Sequence, residues 1–88
     1  MTLEEGLNVL HLDAGINDEL VTSLIEAIPD YIYVTTGMTT EQQTQEPLAK
    51  TVGGFLLMLW YFADKADDVA LNRTIDSLLK AITLKVTT

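Results

Sequence analysis

Thr2-Leu3-Glu4-Glu5-x-Leu7-x-x-Leu10-x-Leu12-Asp13, followed by Asp18-x-Leu20, Leu24-Ile25-x-Ala27, Tyr31-Ile32 and Thr36-Gly37, is the stretch that decides the fold. Thr2 and Glu5 stand at the spacing of a capping box, in which each side chain satisfies a backbone amide that the helix start leaves orphaned. Glu4 and Glu5 also lie in the first turn, where the helix dipole favours negative charge. Leu3, Leu7 and Leu10 fall on one face, which predicts a helix over residues 3–12. Gly6 weakens that helix by roughly 1 kcal/mol relative to alanine, so packing has to hold it.

Working outward, Asp13 to Asn17 forms a turn, and Asn17 or Asp18 caps a second helix. Its expected inner stripe is Leu20, Leu24, Ile28, Tyr31, Ile32 and Thr35, and Gly37 ends it. Pro29 interrupts this pattern, because an interior proline removes one ladder bond and costs about 3 kcal/mol unless the helix bends. Tyr31 to Thr36 is rich in β-branched and aromatic residues and, read alone, passes for a strand. The apolar stripe nevertheless keeps helical phase across the proline, which favours a kinked helix.

Met38 to Glu46, polar throughout from Thr39 to Gln45, is expected to be a mobile loop. Pro47 suits the first position of a third helix, where its missing amide is not needed. That helix is predicted to reach Ala66, with Leu48, Val52, Phe55, Leu56, Leu59 and Ala63 as its main stripe. Leu57, Met58, Trp60, Tyr61 and Phe62 fill its other faces. A helix apolar on every side must be surrounded, and in so small a domain part of it is expected to meet another subunit. Asp67-Asp68 suits a turn or cap before a fourth helix, whose inner side takes Leu71, Ile75, Leu78, Leu79 and Ile82. Thr83 to Thr88 is expected to be a frayed end or an arm. The fold class is therefore all-α: one domain over residues 1–88, a compact bundle of about four helices with a central apolar third helix.

Composition sets further limits. The chain has 88 residues, no cysteine and a net charge of −8, which removes thiol chemistry and disulfide bridges. Met1 to Glu5 is acidic where a signal peptide would be basic. The longest unbroken apolar run, Phe55 to Ala63, is nine residues, against about 20 needed to cross a bilayer. Residues 1–49 carry nine acids and no Lys or Arg, whereas residues 50–88 are nearly balanced, so the halves hold −9 and +1. Such a chain lacks the basic patch that grips phosphates, and sequence-specific nucleic-acid binding is not expected. The asymmetry either serves solubility alone or lets the acidic half of one copy face Lys50, Lys65, Arg73 or Lys80 of the next.

No constellation of catalytic groups stands out. His11 is the only histidine; general acid–base work would need a partner and a pocket, and a zinc site would need more ligands. The pairs Glu4/Glu5, Asp18/Glu19 and Asp67/Asp68 each sit near a predicted helix start, where dipole compensation explains them. Asp64, Asp67 and Asp68 lack the alternating ligands and central glycine of a calcium loop. Gly53-Gly54 follows no strand and lacks the lysine and hydroxyl of a phosphate loop; close approach of another backbone is its simpler purpose. Asp76-Ser77-Leu78 matches the triplet that carries phosphopantetheine in acidic helical carrier proteins, but Ser77 falls inside a predicted helix near the C-terminus. No cofactor or metal is expected. Tyr31, Tyr33, Trp60 and Tyr61 are read either as core or as interface anchors.

The order and spacing of the residues quoted first, continued more faintly by Pro47, the apolar run and Trp60-Tyr61, resemble the small all-helical head–tail connector proteins of tailed bacteriophages, also described as head-completion or DNA-packaging adaptor proteins. The resemblance covers some 60 of the 88 residues, most of them in the first two helices. Pro29 departs from it, since a helix-former is more usual there. The resemblance implies a structural protein without enzymatic activity, located in the virion at the head–tail junction and in the host cytoplasm during assembly. It implies a homo-oligomeric ring beneath the portal protein that extends the DNA channel and receives further head-completion or tail proteins. The candidate subunit interface is Tyr31, Tyr33, Lys50, Leu57, Trp60, Tyr61, Lys65 and Arg73. An acidic regulatory binder, either a DNA mimic or an inhibitor of a basic protein, is the alternative.

Overall fold

The computed structural model describes residues 1–63 and 68–87. They form five helices and, among the described residues, no strand: α1 (Leu3–Leu10), α2 (Asp18–Thr36), α3 (Thr40–Gln43), α4 (Pro47–Tyr61) and α5 (Asp68–Thr87). The fold is all-α.

The capping box at the N-terminus forms. Glu5 N–H donates to Thr2 Oγ1 at 3.2 Å, and Thr2 N–H donates to Glu5 Oε1 at 3.0 Å. α1 stops two residues earlier than its periodicity predicts, because His11 turns left-handed (φ 57°, ψ 42°). The His11 and Leu12 amides then bond back to the Asn8 and Leu7 carbonyls at 3.2 and 2.9 Å. This is a Schellman closure, with a residue other than glycine in the left-handed position.

α2 runs unbroken through Pro29 to Gly37, whose φ of 83° ends it while its amide donates to the Tyr33 carbonyl at 2.8 Å. Tyr31 to Thr36 is therefore helix, not strand. The expected phase of α2 needs correction. Its buried residues are Val21, Ile28, Ile32 and Thr36, whereas Leu20, Tyr31 and Thr35 face outward. Two apolar arcs run along this helix, and the sequence reading merged them.

Residues 38–46, expected to be a loop, carry the single turn α3 with its own capping box between Thr39 and Gln42. Gln43 anchors it. Its side-chain amide donates to the carbonyls of Pro29 at 2.9 Å and Met38 at 3.0 Å, and Met38 is buried. At the start of α4, Glu46 accepts from the Leu48 amide at 3.1 Å and from Lys85 Nζ at 2.8 Å. The C-terminal end of α5 is thus tied to the N-terminal end of α4. Residues 83–87, expected to be a frayed end or arm, continue α5 as helix.

α4 ends at Tyr61 rather than Ala66, with Phe62 as its cap; Asp64 to Asp67, including Lys65, lie outside the described residues. α2 and α4 form the central pair, and each touches all the other helices. Gly53 permits their approach, since a Cβ there would stand 3.3 Å from Ile28 Cγ2. Val52, Leu56 and Leu57 from α4 meet Val21, Ile28 and Ile32 from α2 and Ile75 and Ile82 from α5 in one core. Burying each such side chain contributes about 1.5–3 kcal/mol.

The Cα extents are 42 × 28 × 18 Å.

Candidate functional site

The outer faces show where such a domain offers contact. On α4, Val52, Leu56 and Leu57 are buried, while Leu48, Phe55, Met58, Leu59, Trp60 and Tyr61 are half-buried and keep part of their surface accessible. Among the described residues the most exposed large apolar side chains lie elsewhere, and half of them are on α2: Leu20 (51% exposed), Tyr31 (39%), Tyr33 (50%) and Val34 (76%).

Leu20, Ala27, Tyr31 and Val34 recur at i, i+7, i+11 and i+14, and so form one row along the helix. Trp60 of α4 stands beside it, edge-on to Tyr31 with ring centroids 5.4 Å apart and an interplanar angle of 87°. Ala27, Asp30, Tyr31, Val34 and Trp60 line a shallow depression of about 440 Å³. Glu19, Glu26, Asp30 and Tyr33 repeat the same offsets one residue earlier, all exposed. An acidic row therefore runs parallel to the apolar one. Exposed apolar side chains grouped beside a polar row make this surface the candidate for contact. The paired aromatics at its centre are the side-chain types that anchor such contacts.

Several expected interface residues do other work. Leu57 is 0% exposed and belongs to the core, so it is unavailable to a neighbour. Tyr61 is half-buried; its hydroxyl accepts from Asn17 Nδ2 at 2.6 Å and its ring packs edge-on to Phe62. This ties the start of α2 to the end of α4. It also leaves Asn17 without the capping bond expected of it, while Asp18 Oδ1 accepts from the Gly15 amide at 2.9 Å. Lys50 is exposed and reaches Glu5 at 3.9 Å, a contact of slight energetic worth in water. Arg73 is exposed on α5, and Lys65 lies outside the described residues. Tyr31 and Trp60 meet at the α2 surface, whereas Tyr33, two residues from Tyr31, is exposed on another side of the helix. Leu20 was expected on the inner stripe and Val34 was not singled out; the signal for both was a second apolar arc in helical phase with Tyr31.

Two carboxyls are held below their ordinary range. For Glu5 the Thr2 backbone amide is the main cause, followed by the Thr2 side chain, with Lys50 adding less. For Glu46 it is the bond from Lys85, then the Leu48 amide. Both serve helix ends and neither lies on the α2 rows. Among the described residues, no three His, Cys, Asp or Glu side chains gather as metal ligands would, and no helix is long and apolar enough to cross a membrane. His11 is exposed and acts as the cap of α1. Ser77 is exposed inside α5, away from any helix start. No family model, curated protein or solved structure matches this chain.

Proposed function

We propose that this protein is a structural adaptor that associates with copies of itself. The observation that carries this reading is the exposed apolar row of α2 beside its acidic row. Hydrophobic contact supplies affinity and the charge asymmetry supplies direction.

The particular adaptor that the sequence resembles is the phage head–tail connector. In that role the copies form a ring beneath the portal protein, prolong the DNA channel and present a platform to further head-completion or tail proteins. The negative charge suits a channel wall, because like charge prevents the counterion-releasing phosphate contacts of tight binding. DNA then slides without sticking. The protein is a virion component without enzymatic activity.

Native mass spectrometry over a range of concentrations, with and without a portal assembly, tests this. Rings, or several copies incorporated per portal, are the expected result. A protein that stays single even with the portal refutes it. The unbroken acidity of residues 1–49 also suits an acidic regulatory binder. That reading predicts instead a salt-sensitive one-to-one complex with a basic protein.

A further inference from the structure

We infer that the α2 surface of one copy receives the outer face of α5 from the next copy. This rests on the self-association proposed above and names the two surfaces that meet.

The outer face of α5 carries Val69, Arg73, Lys80 and Leu84, all exposed, at i, i+4, i+11 and i+15. Val69 is 61% and Leu84 66% exposed. Neither ion pair among the described residues involves Arg73 or Lys80. The two bases are seven residues apart, or about 10 Å along a helix at ~1.5 Å per residue. Glu19 and Glu26 on α2 have the same separation. Setting the bases opposite these acids fixes the rest of the register. One of Val69 and Leu84 then falls at the level of Asp30, which forms one side of the Tyr31–Trp60 depression, and the other at the level of Ile16, which is 62% exposed. This holds whether the helices run parallel or antiparallel, because the apolar pair flanks the bases almost symmetrically. Asp76 lies between the bases on the same face and weakens their field. Three acids on the α2 row still leave the pairing attractive.

Charge also decides against the symmetric alternatives. An α2–α2 contact would oppose Glu19, Glu26 and Asp30 to themselves, and an α5–α5 contact would oppose Arg73 and Lys80 to themselves, each repulsive. Within one copy α2 and α5 already pack together, so the outer face of each is left for another molecule. Two different surfaces on each copy make a heterologous contact, the kind that closes into rings. A single helix face about 20 Å long falls short of the ~800 Å² per partner of a standard interface. Each contact is therefore weak alone and gains from ring closure or from a template.

Charge reversal tests the pairing. Glu19→Lys/Glu26→Lys makes both faces basic, and Arg73→Glu/Lys80→Glu makes both acidic. All four positions are exposed, so thermal unfolding followed by circular dichroism should show both variants folded. By sedimentation velocity, alone and with a portal assembly, each variant is expected to associate at least tenfold more weakly than the wild type. An equimolar mixture should recover association, because α2 of either variant then matches α5 of the other. Wild-type association unchanged in both variants, or a mixture that recovers nothing, overturns this pairing and leaves the adaptor reading standing. A wild type that never associates, even on the portal, removes the adaptor reading and this pairing with it.

Discussion

Leu57 and Gly6 make a pair whose coupling can be worked out in advance. Leu57→Ala removes three carbons from a side chain that is 0% exposed. At ~0.8 kcal/mol per buried methylene the transfer term is about 2.4 kcal/mol. A residual void of about 50 Å³ adds roughly 1 kcal/mol at ~24 cal/mol per Å³. Leu57 Cδ2 lies 3.2 Å from where a Gly6 Cβ would stand, and glycine has nothing to extend into the space, so the void persists. The total is about 3–4 kcal/mol. Gly6→Ala alone gains about 1 kcal/mol of helix propensity. Its Cβ would also stand 2.6 Å from Ile25 Cδ1, and such overpacking costs typically 1–3 kcal/mol. In the double variant the new methyl enters the void and the Ile25 methyl has room to turn aside. The double variant is therefore more stable than Leu57→Ala by about 1 kcal/mol or more, with a favourable coupling of about 1–3 kcal/mol. Urea unfolding of dilute protein measures this. With a slope near 1 kcal/mol/M, Leu57→Ala lowers the midpoint by about 3 M. An additive double variant, or a Leu57→Ala loss below about 1.5 kcal/mol, refutes the packing argument. A loss that grows with protein concentration would return Leu57 to an interface.

Three further expectations concern the joints between helices. His11→Gly relieves the left-handed cap and raises stability by about 1 kcal/mol, visible as a thermal midpoint higher by about 4–8 °C. Gln43→Ala leaves the Pro29 and Met38 carbonyls without its side-chain donor and lowers stability by about 1–2 kcal/mol, with faster amide exchange over residues 38–46. The folded Glu46 carboxyl titrates below its ordinary value near 4.5, so its contribution is present above that value and is lost as pH falls through the lower, folded one. Glu46→Gln should therefore lower the midpoint at neutral pH and flatten its decline in acid. Parallel curves for the two proteins would show that the Lys85 contact does not carry the effect.

Much of the secondary structure was legible because it is written in local chemistry. The Thr2/Glu5 capping box, Gly37 as terminator and Pro47 as first helical residue each act over three or four positions. The inner side of α5 was legible as well, because Ile75 and Ile82 are its buried centre and no second apolar arc competes with them. α2 was harder. Apolar residues occupy two of its arcs, and periodicity alone gives both the same period without saying which faces the core. At Pro29 the helical phase of the stripe was the right guide, since helix continues through it to Gly37, and Gln43 from a turn 14 residues on meets the Pro29 carbonyl.

Sequence alone determined that this chain is helical, acidic in its first half and without thiol chemistry, because composition, caps and spacing are properties of neighbouring residues. Only the tertiary structure decided which apolar residues are spent inside. The all-round apolar helix α4 has none of the most exposed apolar side chains among the described residues, while α2, with the milder pattern, keeps a row of them outside. The reason is geometric. α2 and α4 each touch all the other helices, and which arc of each turns inward is set by the neighbours it packs against, not by its own periodicity.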